Sequence, residues 1–211
     1  MAYRKTPAVQ HRLDTAREHL LDRAASVVAD VGWANASVNA VAAAAGMSAG
    51  SVYQHFPSKA ALAVEVFRRA SGREVEVLGQ VLREAGGDPV QRLALGIGVF
   101  SRRALEARGL AYALVAAPAD PAVGRERLEY RRRYRDLFAE VVREGVDAGI
   151  LPEQDPHVTA AALTGAIAEV LIDPLAAPDE DDAEQLITEL TAMSLRCAGA
   201  RPERESPGPV E

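Results

Sequence analysis

The strongest constraint on this chain is its helix punctuation. Asp88-Pro89, Asp120-Pro121 and Asp155-Pro156 each set a carboxylate before a proline. That is the order of an N-cap followed by a first helical residue whose missing N–H costs nothing. Gly32, the pair Gly86-Gly87, Gly149 and Gly199 each follow a helical pattern, where a left-handed residue closes the last turn. Together these marks predict helices at about 9–31, 38–44, 48–55, 58–85, 89–107, 109–116, 121–148, 156–173 and 180–198, an all-α chain of about nine helices with no strand. Composition agrees: 48% of residues are apolar and only 5% aromatic, with long alanine-rich runs and little β-branched clustering.

Two of these helices carry information beyond their ends. The first shows Leu13, Ala16, Leu20, Ala24, Val27, Val28 and Val31 three or four apart, one apolar stripe facing a core. The eighth carries a single full charge, Glu169, between Pro156 and Ile172. A helix apolar nearly all round must be covered on more than one side. Its small residues, Ala160, Ala161, Ala162, Gly165, Ala166 and Ala168, admit a close neighbour. That neighbour is either a second subunit or the rest of a single-chain core. The segment 200–211 is proline-rich, charged and without periodicity, which predicts a disordered tail.

The net charge of −6 argues against nucleic acid until its distribution is considered. Residues 1–60 hold six basic and four acidic side chains, and the remainder holds 18 basic and 26 acidic. A weakly basic head on an acidic body suits a small DNA-reading unit joined to something with another task. The single cysteine, Cys197, excludes an intrachain disulfide and a cysteine-based zinc cluster, and fits a reducing, cytoplasmic setting. No apolar run approaches the roughly 18 residues of a membrane span, and the first residues show no signal-peptide core. No membrane partner is expected.

The informative segment is 37–59, SVNAVAAAAGMSAGSVYQHFPSK. A short helix ends at Gly46, Ser48 caps a second, and the small Ala42 lies where the two would cross. Val41 and Val52 can bury the inner faces, which is helix-turn-helix spacing set by packing alone. The second helix is brief because Phe56 precedes Pro57 and is pushed from helical angles. Its other face offers Ala49, Gly50, Ser51, Tyr53, Gln54 and His55. Ser51 and Tyr53 have hydroxyls for phosphate, and Gln54 has the shape to pair with an adenine edge. Ser58 would cap the next helix, setting free N–H groups and Lys59 near a phosphate. Taken singly, a glutamine on a helix is more often solvated than reading a base, a Tyr-x-His-Phe run is more often a small aromatic cluster, and an isolated lysine is surface.

The run ADVGWANASVNAVAAAAGMSAGSVYQHFPSKAAL resembles the N-terminal signature of the TetR/AcrR family over about residues 11–67. It has the glycine after the first helix, the serine opening the second, the Ala-Gly-Met-Ser turn, and Tyr-x-His-Phe followed by Lys and Leu. The resemblance implies a three-helix DNA-binding domain at 1–57 and a ligand-binding and dimerisation domain at 58–199, with 58–85 connecting them. It implies a homodimer, joined through helices at about 156–173 and 180–198, that sets its third helices into successive major grooves of a palindromic double-stranded operator. Base or backbone contact is implied for Ala49, Gly50, Ser51, Tyr53 and Gln54, and phosphate contact for Ser37, Ser48, His55 and Lys59. Ala49 and Gly50 stand where many relatives have larger or polar side chains. The function implied is a repressor released by a small-molecule effector.

For the effector, the sequence offers bulky or polar groups inside apolar helices: Phe100, Tyr112, Tyr134, Phe138 and Glu169, each more readily read as plain core or surface than as a ligand contact. Ala113 is read as facing the same pocket. Arg131, Arg132, Arg133 and Arg135 could draw an anion, or form a solvated face with Glu126 and Glu129 in reach. Catalytic, metal and cofactor signatures are not found: the four histidines are scattered, and there is no phosphate-binding glycine loop or nucleophile elbow. The rival to a repressor is a helical adaptor or sensor of the same fold that does not bind an operator.

Overall fold

The computed structural model describes residues 6–116, 121–176 and 182–200. Among them are nine helices and no strand: α1 (Pro7–Asn35), α2 (Val38–Ala44), α3 (Ala49–His55), α4 (Lys59–Glu84), α5 (Pro89–Glu106), α6 (Arg108–Val115), α7 (Pro121–Asp147), α8 (Pro156–Ala176) and α9 (Ala183–Cys197). The caps explain the boundaries. Asp88 accepts from the Gln91 N–H at 2.9 Å, and the Gln91 side chain returns to the Asp88 N–H, a reciprocal capping box. Asp155 caps α8 by accepting from the N–H groups of His157 and Val158. Those two bonds hold its carboxyl below the ordinary range. Asp120 and the segment 201–211 lie outside the described residues.

Gly32 is the instructive stop. Its φ of +71° breaks the helical path three residues before α1 ends, so the chain kinks there. The kink changes the helical phase. Val31, expected in the apolar stripe, is 45% exposed, while Trp33 beyond the kink is buried. The expected stripe otherwise lies inward, with Leu20, Ala24 and Val28 fully covered.

Two apolar cores follow. One gathers α1, α2, α3 and the first turns of α4, and is closed by Ala113 of α6 and by Val123 and Tyr130 of α7. The other lies among α4, α5, α7, α8 and α9, around Leu82, Leu93, Ile97, Val142, Leu163 and Leu190. Tyr134 packs against both. Helix α4 runs through the two cores, with Leu62, Val66 and Phe67 in the first and Leu78 and Leu82 in the second.

Helix α8 corrects one expectation. Its best 18-residue window has a mean hydropathy of 1.5, so by length and composition it could cross a membrane. Glu169 and Asp173 interrupt the apolar run without lowering that average enough. In the fold, Ala160, Leu163, Ile167, Leu171 and Leu175 turn one side of it into the second core. Val158 (67% exposed), Ala162 and Val170 are exposed, with Gly165 and Ala166 partly covered beside them.

Candidate functional site

Helices α2 and α3 form a tight pair. Ser37 accepts from the Ala40 N–H and Ser48 from the Ser51 N–H, each at 3.1 Å, so both helices start at a serine N-cap. Val41, Ala42 and Val52 are buried between them, and Gly46 turns the chain at φ +65°. Phe56 is extended at φ −133°, ψ 118°, as expected for a residue before proline, and its ring is buried under the Arg17 guanidinium, 5.0 Å away. Arg17 also pairs with Glu65 of α4. The corner between α3 and α4 is thereby held from both sides.

What remains outward is the candidate nucleic-acid face. Tyr53 is 53% exposed, Gln54 and Gly50 are exposed, and Ala49, Ser51 and His55 are half-buried. A methyl group at Gly50 would meet only the Ser48 hydroxyl oxygen, at 3.7 Å, so nothing in the chain fills that part of the face. The hydroxyls of Ser48 and Ser51 lie 2.9 Å apart. Ser58 caps α4 by accepting from the Ala61 N–H. The Lys59 ammonium donates to the Ala34 carbonyl at 3.4 Å, which stations it beside the loop that leads to Ser37. Free N–H groups at helix starts and one ammonium suit phosphate.

The second feature is a cavity of about 370 Å³ lined by α1, α4, α5, α6, α7 and α8. That is room for a small organic molecule. Phe100, Tyr134 and Phe138 lie on its wall. Phe100 and Tyr134 meet edge to face with ring centres 5.5 Å apart. Burial pushes the Tyr134 hydroxyl well above the ordinary range, with Glu74 and Tyr130 adding to the shift, so it stays protonated. The charged wall comprises Arg69, Arg73, Arg103, Arg127 and Arg131 with Asp22 and Glu74.

Three residues read from the sequence as facing an effector lie off this cavity. Tyr112 is on the outer side of α6, where its neighbours Ala111, Leu110 and Leu114 take the wall. Glu169 is exposed on α8, opposite the face formed by Ile167, Ala168 and Leu171. Ala113 is buried in the first core, against α1, and does not reach the cavity. Each departure is one of helical phase, since a step of one residue turns a side chain through about 100°. The charged cluster on α7 also divides. Arg131 lines the cavity, Arg132 pairs with Glu129 at 3.0 Å, and Arg133 lies over the Tyr130 ring at 4.8 Å. Glu126 turns instead to Arg68 of α4, which grips it with two bonds of 2.8 and 2.9 Å.

Sequence reasoning missed Arg127. Its signal was available: residues 127, 131, 134 and 138 recur at three- and four-residue steps along one face of α7. It missed Arg103 and Glu74 for a different reason. They are joined bidentately at 2.7 Å across α5 and α4, a pairing no local spacing reveals.

Family models match on both sides of this architecture. Residues 20–66 match the bacterial regulatory proteins of the tetR family, and residues 86–171 match the tetracyclin repressor-like C-terminal domain. The chain belongs to the TetR family. It is a TetR-family transcription regulator with a helix-turn-helix DNA-binding region and a helical ligand-binding region. Among solved structures it resembles the triclosan complex of SmeT, with a TM-score of 0.76 and 22% identity over 93% of this chain and 97% of that one. It also resembles the fatty acid degradation regulator FadR from Bacillus halodurans, with a TM-score of 0.74 and 22% identity over 84% and 97% of the two chains. FadR from Bacillus subtilis in complex with stearoyl-CoA superposes with a TM-score of 0.73 and 19% identity over 86% and 97%. At such identities these TetR-family structures share the fold. No curated protein matches the chain.

Proposed function

We propose that this regulator is a homodimeric repressor that binds a palindromic operator through α3 and is released when a small molecule fills the cavity. One observation carries the reading. Helix α4 starts at the Ser58 cap and Lys59 beside the candidate DNA face, and its middle, from Val66 to Leu78, lines the cavity. Whatever repositions α4 from within the cavity also moves its DNA-facing start.

Several features support the parts. The exposed face of α3 has the polar groups for groove contact, with Ser37, Ser48, His55 and Lys59 around it for phosphate. The domain division falls at about residues 57 and 58, with α4 as the connector. Val158, Ala162 and Val170 recur along the outer side of α8, and a methyl group at Gly165 would meet nothing within 4 Å in this chain. A second subunit packing its own α8 and α9 there would cover that side. The neighbours that hold triclosan and stearoyl-CoA support a ligand role for the body. The effector acts by binding the DNA-incompetent arrangement better than the competent one, since equal affinity shifts nothing.

The test is an electrophoretic shift of the promoter region beside the protein's own gene, repeated at rising salt. The reading expects one dimer per palindrome and affinity that falls steeply with salt. A chain that remains monomeric at micromolar concentration and leaves every promoter duplex unshifted would be an adaptor or sensor instead.

A further inference from the structure

The cavity wall carries a charge imbalance that the rest of the molecule does not share. Five arginines and two carboxylates line it, in a chain whose net charge is −6. Both carboxylates are already engaged. Asp22 accepts from Arg69 at 2.8 Å, and Glu74 is held bidentately by Arg103. Arg73, Arg127 and Arg131 are left with no carboxylate partner among the described residues.

Their placement is ordered as well. Arg127 and Arg131 stand one turn apart on α7, and the same face continues through Tyr134 to Phe138. From Arg127 to Phe138 is roughly 16 Å at 1.5 Å per residue. Along that length the wall changes from guanidinium to aromatic, and Leu78, Ile167 and Leu171 complete its apolar end. Burial, and then repulsion from Arg131, holds the Arg127 guanidinium below its ordinary range. A cation kept in partly dehydrated surroundings beside another cation is a cost that a bound anion would relieve. The protonated Tyr134 hydroxyl, with no acceptor among the described residues, is a donor between the two ends.

We propose that the cavity takes an anionic amphiphile, its acidic head between Arg127 and Arg131 and its apolar body running along α7 toward Phe138. The inference rests on the cavity being the effector site. The head is a carboxylate or a phosphate, both of which a guanidinium binds through paired N–H groups. A cationic or neutral molecule of the same shape would leave the arginines unmatched.

Isothermal titration of the unliganded full-length protein with decanoate, decyl phosphate, decanol and decyltrimethylammonium tests this directly. At least one anion should bind about tenfold or more tighter than decanol, the margin expected for a charge-assisted hydrogen bond. The cation should not bind. Decanoate ahead of decyl phosphate identifies a free acid as the source, and the reverse order identifies a phosphate-bearing one. In Arg127→Gln and Arg131→Gln the preference for the anion over decanol should shrink about tenfold. Removing an unpaired, dehydrated cation should leave the thermal midpoint of Arg127→Gln unchanged or raised. If that variant fails to fold, Arg131→Gln alone decides. Decanol binding as well as either anion, anion binding indifferent to both substitutions, or no binding of any of the four would overturn the proposal. Operator binding by the unliganded protein is a separate readout. Protein that shifts DNA but takes decanol as readily as decanoate keeps the repressor reading and loses this one. Protein that takes the anion but shifts no DNA does the reverse.

Discussion

The indole Nε1 of Trp33 donates a hydrogen bond to the main-chain carbonyl of Ala113, 2.9 Å away, joining the end of α1 to α6. Close by, a methyl group on Gly109 of α6 would sit 2.3 Å from the Ala29 carbonyl oxygen, so α6 lies almost directly on the backbone of α1. The DNA-binding region thus touches the body through a bond and a contact with no slack. Trp33→Phe keeps an aromatic ring and removes the bond, and should cost about 1 kcal/mol in urea unfolding because the carbonyl is left buried. Gly109→Ala forces the helices apart and should cost about 1–3 kcal/mol. If Gly109→Ala unfolds at the wild-type midpoint, the close packing of α6 on α1 is wrong.

Arg68 makes the corresponding link on the other side. It holds Glu126 of α7 bidentately and Glu65 of its own helix at 3.0 Å, while Tyr130 donates to its carbonyl. The bond from Arg68 keeps the Glu126 carboxyl below its ordinary range. At Glu65 partial burial acts the other way, but Arg17 and Arg68 outweigh it and the value is again lowered. Depressed folded-state values mean that the stabilisation is present above the unfolded glutamate value of about 4.3 and is lost as the pH falls below it. Arg68→Ala should cost about 1 kcal/mol at neutral pH, since the pair is half exposed. Its penalty should fade toward about pH 3, where the wild type has lost the same contribution. Urea midpoints of both proteins across that range check the sign, and a penalty that grows on acidification would contradict it.

The fold is legible in the sequence because its signals are local. Asp88, Gln91 and Asp155 cap within their own turns, and the turn glycines need only their own φ, so helix ends can be read without knowing what packs where. The helix-turn-helix face is legible for the same reason, since 37–59 is a single stretch. The cavity is not, because its wall draws on six helices and depends on phase. By composition Tyr112 suits the wall where Ala111 stands, and Val31 suits the core from which the kink at Gly32 turns it out. Ion partners follow tertiary geometry as well: Glu126 has arginines nearby on its own helix and pairs with Arg68 on another.

The dimer is tested on α8. Ala162 is exposed on the side that the second subunit is proposed to cover. Ala162→Glu should therefore fold normally as a monomer but lose association, because an unpaired charge buried between helices costs on the order of 3–5 kcal/mol. Sedimentation equilibrium at micromolar concentration reads this. Wild type that is already monomeric, or Ala162→Glu that still dimerises with unchanged affinity, rules out this face.

The central claim, operator recognition through α3, is tested most directly by selecting duplexes from a random library with the wild type, Gln54→Ala and Lys59→Ala. The wild type should enrich a palindrome whose half-sites lie about one helical turn apart, roughly 34–36 Å. Gln54→Ala should enrich the same palindrome with preference relaxed at one position in each half. Lys59→Ala should keep the sequence preference, bind all duplexes more weakly, and lower the salt slope by about one unit for each phosphate that the lysine no longer neutralises. A wild type that enriches no sequence, or one whose enriched site and salt slope are the same in both variants, would contradict the account.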